Sequence, residues 1–458
     1  MMLKNIISKV QDKLKNDKVF SSLLRGSSVV LLIQILGRGI GYFDQIILAR
    51  WMGATDYGFY IYIISWATLV TTLPKLGQRG SVVRFIPEFR IKEEPGRLKG
   101  VVQGSLGMTA LVSVGLALIG TAIAFIFESQ GQTINLQATL IGIWVMPLMA
   151  LVDLSMSILQ GFRRMAAAFI PLTLVRPMLV LIGASSIYFW VQDGTPLSTT
   201  TVLCITFISF VVILLQLQWM IHREVRAFVG DMPAIYEIRR LLRVSLPLLL
   251  ATGFGTILVQ SDIVMIGLIK GPEDVGFYNA AVRTAAIIGF LLTAVSAAVG
   301  PMISAAYAEG EPVKLQRLIT KANQILLIPS LAIVVAVIFL SEPLLRNFGP
   351  EFVSMRWVLI VLALGQFVKA SSGPIGLLLD LTGHQDESAR LRGMAACLNI
   401  SLNLIGIYTL GALGAALATL TSIIFERAYI DYVVVKHVNV SPSWFSSINR
   451  RLQSITRQ

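Results

Sequence analysis

The chain has 458 residues, of which 55% are hydrophobic and only 14% charged, with a mean hydropathy of +0.75 and a formal charge of +13. Soluble domains carry about 25% charged residues, so the composition excludes a soluble protein, and apolar runs of ~20 residues recur from end to end as in a multi-span membrane protein. The positive charge collects between those runs and on one side of them, which excludes nucleic acid as its cause.

In chain order, residues 1–22 place Lys4, Lys9, Lys13, Lys15 and Lys18 beside apolar residues at helical spacing. That pattern fits a basic amphipathic segment on an anionic membrane face or a mobile tail, and it carries no signal-peptide core. Apolar spans are expected at about 24–49, 57–78, 101–127, 137–159, 168–191 and 199–221, with a basic polar stretch over 79–99. Residues 222–243 form the longest interior polar segment and read as a linker. Six further spans follow at about 244–269, 276–307, 322–341, 354–379, 392–410 and 412–432, and the tail over 433–458 is basic. The expected fold is an all-α membrane protein with 12 transmembrane helices. They form an N-lobe (23–221) and a C-lobe (244–432) related by pseudo-two-fold symmetry around a central cavity. With both termini in the cytoplasm, nearly every loop Lys and Arg falls on the cytoplasmic side, as the positive-inside rule requires.

One stretch occurs twice. Asp44, Gly53, Asp56, Gly58 and Tyr60 return as Asp262, Gly271, Asp274, Gly276 and Tyr278, each 218 residues later. Downstream, Pro95-Gly-Arg97-Leu98 matches Pro312-Val-Lys314-Leu315, and Leu181-Ile182-Gly183 matches Leu404-Ile405-Gly406. A shared offset over such a length signals duplicated halves, a common plan among transporters.

Charges within spans are costly and mark function or pairing. The set comprises Arg38, Asp44, Asp153, Arg176, Asp262, Arg283 and Lys369. By depth, Asp262 can pair with Arg283, and Asp153 with Arg176. Asp44 has Ser65 where the second copy has Arg283, so Asp44 is the better proton or cation site unless Arg38 or a second-lobe cation neutralises it. Arg38 and Lys369 lack a local acid and suit an anionic ligand, arginine matching phosphate through its forked donors. Lys75 lies near a span end and can snorkel. The glycines of Gly37-Arg-Gly39-Ile-Gly41 suit either a bending helix or close helix packing. Cys204 and Cys397 read as buried small hydrophobes. His222, His384 and His437 form no cluster, and no nucleotide loop or metal-ligand spacing is present, so neither catalysis nor a cofactor is expected.

The run Leu-Ala-Arg-Trp-Met-Gly-Ala-Thr-Asp-Tyr-Gly-Phe-Tyr over 48–60, with its second copy from Gly271 to Tyr278, resembles the first-hairpin signature of polysaccharide flippases. These belong to the multidrug/oligosaccharidyl-lipid/polysaccharide exporter superfamily. The resemblance covers about residues 20–435. It implies a flippase moving undecaprenyl-diphosphate-linked oligosaccharide across the cytoplasmic membrane by alternating access. A cationic cavity would receive the cargo, and by span and depth Arg38, Arg283, Lys369 and Arg176 fit it. Asp44, Asp262 and Asp153 are left for ion coupling or ion pairs. The partners so implied are the lipid-linked oligosaccharide, membrane lipids, H+ or Na+, and a polysaccharide polymerase. Against this stand an ion-coupled multidrug exporter of the same superfamily, which would prefer acids in its cavity, and a non-transporting scaffold, which would tolerate loss of the cations.

Overall fold

The computed structural model describes residues 18–130, 135–191, 194–230, 232–438 and 440. Most of the segment expected on the membrane surface (1–22) and the basic tail beyond residue 440 lie outside the described residues. Among the described residues all regular structure is helical. The first helix, α1, runs Lys18–Val70 with one break at Gly53 (φ 76°, ψ 169°), a backbone conformation that only glycine adopts without strain. It therefore carries both of the first two expected spans. The repeat breaks at the same place: Gly271 (φ 103°) separates α7 (Ile238–Ile269) from α8 (Pro272–Ala308).

Between them come α2 (Gln78–Ile91), α3 (Pro95–Ser129), α4 (Leu136–Gly161), α5 (Met165–Trp190) and α6 (Thr199–Val229). After α8 follow α9 (Pro312–Phe339), short α10 (Ser341–Arg346) and a 3-10 turn (Pro350–Met355). The chain continues through α11 (Arg356–Ser371), short α12 (Ile375–Leu381), α13 (Gln385–Leu410) and α14 (Ala412–Val438). Pro95 and Pro312, matched in the repeat, each open a helix, where the missing N–H of proline costs nothing. Downstream of Val70, 10 helical segments among the described residues are long and apolar enough to cross a membrane.

The expected linker over 222–243 is largely helical. α6 runs on to Val229 and α7 begins at Ile238, because polar, basic sequence can continue a helix beyond the apolar core. The residues left between them lie along the first half of the chain. Ile235 N donates to Gly96 O at 2.9 Å, Lys99 Nζ donates to Met232 O at 2.9 Å, and Arg97 pairs with Glu237 at 3.1 Å. The basic stretch 79–99 contains α2, an amphipathic helix that buries Val82, Phe85, Ile86 and Phe89. Its Glu88 takes Arg240 of α7 at 3.0 Å, and that guanidinium also covers the rings of Phe85 and Phe89.

Each half has its own apolar core, and a third core joins the halves through Leu48, Tyr57 and Tyr60 of α1 with Tyr278 and Ile288 of α8. At the centre of that junction the two copies of the repeat touch. A Cβ on Gly58 would lie 1.9 Å from Pro272 O and 2.8 Å from Gly276 N, and one on Gly276 would lie 2.6 Å from Ala54 O. The duplicated glycine is thus what lets two helix starts cross backbone to backbone. At the same end Arg50 donates to Asn347 O at 2.5 Å, which ties α1 to the second half.

Large apolar side chains such as Leu111, Ile182 and Trp357 are exposed on helix surfaces, as a bilayer solvent permits. For that reason burial was the wrong expectation for the cysteines: Cys204 and Cys397 are both exposed, since lipid gives a small apolar side chain no reason to turn inward. Gly37 is a packing notch, with a Cβ there lying 2.7 Å from Thr173 of α5, while Gly39 and Gly41 face open space.

Candidate functional site

The two acids of the repeat occupy different surroundings. Asp44, on α1, is buried; its Oδ2 accepts from Gln45 Nε2 at 3.3 Å, and its Oδ1 has no hydrogen-bond partner among the described residues. Two guanidiniums act on this carboxylate, Arg176 more strongly and then Arg283. Arg176 follows a π-helical turn, Pro171–Val175, that proline forces into α5, and such turns commonly re-aim a side chain at a functional position. Its guanidinium lies over the Phe210 ring at 4.4 Å, and its Nε is also unpartnered among the described residues. Arg283 comes from α8, so the Asp44 cluster takes a cation from each half of the chain.

A hydrogen-bonded chain continues from this cluster across the junction. Tyr57 OH donates to Gln45 Oε1 at 3.0 Å and accepts from Asn279 Nδ2 at 2.7 Å. Tyr42 OH meets Thr284 Oγ1 at 3.3 Å. Arg38, one turn before Tyr42 on α1, is exposed and lies 5.1 Å over the Phe290 ring of α8. Arg38 and Arg283 therefore stand on the two helices that face each other across the halves.

Asp262 is held by neutral donors. Tyr278 OH donates to its Oδ2 at 2.9 Å, Asn403 Nδ2 to its Oδ1 at 2.6 Å, and Thr419 Oγ1 to Oδ2. Asn399 Oδ1 in turn accepts from Asn403 and from Ser261 Oγ. The expected Asp262–Arg283 pair does not form. Tyr278 and Arg283 are five residues apart on one helix, about 140° around its axis, so turning Tyr278 toward Asp262 turns Arg283 away. The expected Asp153–Arg176 pair is likewise replaced. Lys75, in the turn after α1, reaches Asp153 at 2.8 Å, an ion pair in place of snorkelling.

Asp262 also lines a cavity of about 340 Å3 within the second half of the chain. Lys369 of α11, Arg392 of α13, and Glu426 and Arg427 of α14 share its wall. Of the four expected cavity cations, Lys369 lines this space, whereas the charges of Arg176 and Arg283 act on Asp44 without forming an ion pair with it among the described residues. Glu426 and Arg427 were missed in the sequence although both fall inside the expected span 412–432, where any charge is a signal. Among the described residues no group of three or more His, Cys, Asp and Glu is arranged to hold a metal ion.

Long apolar helices around buried clusters of charge define a multi-pass membrane protein of the transporter class. Residues 23–307, more than half of the chain, match the family described as polysaccharide biosynthesis protein, and the chain belongs to that family. Residues 247–405 also match the MatE family. Two proteins of Haloferax volcanii are similar in sequence. A probable low-salt glycan biosynthesis flippase is 24% identical over 403 residues, covering 87% of this chain and 81% of that one. A probable flippase is 26% identical over 184 residues, covering 40% and 39%. Among solved structures the chain resembles the lipid II flippase MurJ in its inward closed conformation, with TM-score 0.70 and 17% identity over 89% of this chain and 87% of that one. An inward-facing multidrug resistance MATE transporter of the MOP superfamily gives TM-score 0.68 and 16% identity, covering 90% and 99%. At such identities the structural likeness establishes the fold.

Proposed function

We propose that the protein is a flippase that translocates undecaprenyl-diphosphate-linked oligosaccharide repeat units across the cytoplasmic membrane by alternating access, during cell-surface polysaccharide biosynthesis. Family membership and the glycan flippase of Haloferax volcanii support the cargo class, and relatives of this kind move substrates without transforming them. The observation that carries the mechanism is the pair of mid-span arginines, Arg38 and Arg283, on the facing helices α1 and α8. They offer forked donors to a diphosphate from both halves at once. Arg176 and Lys369 complete the cationic set.

In this reading the chain has twelve spans in two pseudo-symmetric lobes, 23–221 and 244–432, joined by the segment 222–243. Residues 1–22 and 433–458 are cytoplasmic. The Gly58–Gly276 crossing then closes the outer end of the cavity, and the cargo enters from the cytoplasmic leaflet. H+ or Na+ supplies the coupling, and a polysaccharide polymerase takes the product. Asp262 is the better coupling acid because it has only neutral donors around it, whereas Arg176 and Arg283 already act on Asp44. Asp153, tied to Lys75, is a structural pair.

The MatE match over the second half favours one other reading, an ion-coupled multidrug exporter. Proteoliposome transport decides between them. Wild type should flip a lipid-diphosphate-oligosaccharide, and Arg38→Ala or Arg283→Ala should slow it at least tenfold with the protein still folded. Export of cationic dyes that persists in both variants, with no glycolipid flipping by wild type, would favour the exporter and reject the flippase.

A further inference from the structure

A groove of about 540 Å3 opens on the surface of the first half, between α3, α4 and α6, away from both clusters of charge. Thr121, Leu140, Trp144, Cys204, Phe207 and Ile208 line it, and no charged side chain does. Its depth follows from the rise of a helix. Thr121 lies eight residues before the end of α3, Trp144 eight after the start of α4, and Phe207 eight after the start of α6. At ~1.5 Å per residue all three sit about 12 Å inside the helix ends. An aromatic cluster marks the same end of the bundle. Trp51 stacks on Tyr188 at 4.7 Å, Phe189 meets both edge-on, and Trp190 is 90% exposed. Leu197 N donates to Trp51 O at 2.8 Å, which sets these rings level with the start of α6, and Leu197 shares a core with Ala138 of α4. Tryptophan and tyrosine gather where hydrocarbon meets headgroups, so the groove lies below that level, in hydrocarbon.

An apolar hole of ~150 Å3 already admits a benzene molecule, and this groove is roughly three times larger, so a lipid chain fits it. Charge selects the headgroup of that lipid. Glu128 stands seven residues beyond Thr121 on α3, two turns along the same face and about 10.5 Å along the axis. It is exposed and forms no ion pair among the described residues. The sequence carries no charge from 129 to 139 or from 194 to 201, so the rim of the groove offers a carboxylate and no cation. An anionic headgroup is repelled there. A primary ammonium is attracted, and it also brings N–H donors for a charge-assisted hydrogen bond, which a choline headgroup lacks.

We propose that this groove is a lipid-binding site selective for a phospholipid with a primary ammonium headgroup. One acyl chain lies along Trp144, Cys204 and Phe207, and the ammonium donates to Glu128. All the walls of the groove belong to the first half, so the site stands apart from the transport path and does not rest on the proposed function.

The test is quenching of tryptophan fluorescence in the full-length protein, reconstituted in bilayers that mix a lipid brominated on its acyl chains with an unbrominated one. Subtracting the same signal from Trp144→Phe leaves the part that reports the groove. Brominated phosphatidylethanolamine in phosphatidylglycerol, and the reverse mixture, should together give a preference of about fivefold for phosphatidylethanolamine at Trp144, the scale of one charge near a membrane surface. Glu128→Gln should bring that preference to within twofold of unity while Trp144 stays quenched, and Glu128→Asp should keep the preference. Cys204→Phe fills the groove and should lower quenching at Trp144 at least twofold, with a thermal melt to confirm the fold. Equal quenching in wild type and Trp144→Phe, a preference that survives Glu128→Gln, or a preference for phosphatidylglycerol would overturn the site. Quenching relieved by a few mole per cent of a polyprenyl phosphate would give the groove to an isoprenoid chain, and relief at raised protein density would give it to a second copy of the protein. Either result also overturns the assignment.

Discussion

Gly58→Ala adds one methyl where two halves of the chain cross, and its effect follows from what that methyl meets. The new Cβ would lie 1.9 Å from Pro272 O and 2.8 Å from Gly276 N. Both are backbone atoms, so no rotamer relieves the overlap and the helices α1 and α8 must part. Overpacking of this kind costs about 1–3 kcal/mol. The cost falls only on conformations in which the crossing is closed, so the ratio of open to closed molecules should rise about fivefold to hundredfold. Gly276→Ala should act in the same sense and more weakly, because its nearest neighbours are Ala54 O at 2.6 Å and Gly58 Cα at 3.1 Å. Gly39→Ala meets nothing within 4 Å and is the control. The assay is maleimide labelling of a cysteine introduced by Asn279→Cys, behind the crossing, after Cys204→Ser and Cys397→Ser remove the exposed thiols. In detergent both ends are open to reagent, and entry from the far end is common to variant and control, so the ratio of their rates reports the crossing. A labelling rate in Gly58→Ala within twofold of the Gly39→Ala control would refute the argument that this contact closes the bundle.

Other predictions concern single contacts. Lys75→Met leaves the half-buried Asp153 without its cation and should destabilise the protein by about 1 kcal/mol, the figure being held low by solvent screening. Adding Asp153→Asn should restore thermal stability, and failure to recover would show that Lys75 acts through packing. Tyr57→Phe breaks the chain from half-buried Gln45 to buried Asn279 and strands an amide at each end, for about 1–3 kcal/mol in a thermal or denaturant melt. An unchanged melt would mean that another partner takes over. On the surface, the hydrogen bond from Lys92, with the charges of Lys92 and Arg240, holds the Glu88 carboxyl below the usual carboxylate range. A depressed folded value means that its contribution is complete above the unfolded pKa and is lost as pH falls through the folded one. The α2–α7 clasp should therefore loosen only below the ordinary carboxylate range. A Glu88 titration midpoint at or above that range would contradict it.

Much of the architecture could be read from residues alone because a bilayer leaves few choices. An apolar run of ~20 residues must satisfy its backbone internally, and a helix does so. The constant spacing of 218 likewise placed Gly53 and Gly271 at equivalent turns, and both break a helix at positive φ. Depth along a span was also legible, but direction around it was not. Arg283 and Asp262 were expected at similar depth, yet the rotation that brings Tyr278 to Asp262 turns Arg283 away from it. Lys75 was read as a span-end cation, and only the fold of the turn after Val70 brings it against Asp153.

The repeat held a further signal. Leu181-Ile182-Gly183 and Leu404-Ile405-Gly406 are 223 residues apart, and the same spacing sets Arg176 against Asn399. Those residues are what distinguishes the acids of the two copies. In the first copy an arginine that follows a π-helical turn places its positive charge near Asp44. In the second an asparagine stands there, bonded to Asn403, and Asp262 keeps only neutral donors. An acid beside a positive side chain of the protein itself has less need of a mobile cation than one surrounded by neutral donors. On the proposed function, this one Arg-for-Asn difference between the duplicated halves leaves Asp44 with a built-in positive neighbour and makes Asp262 the acid open to a mobile charge.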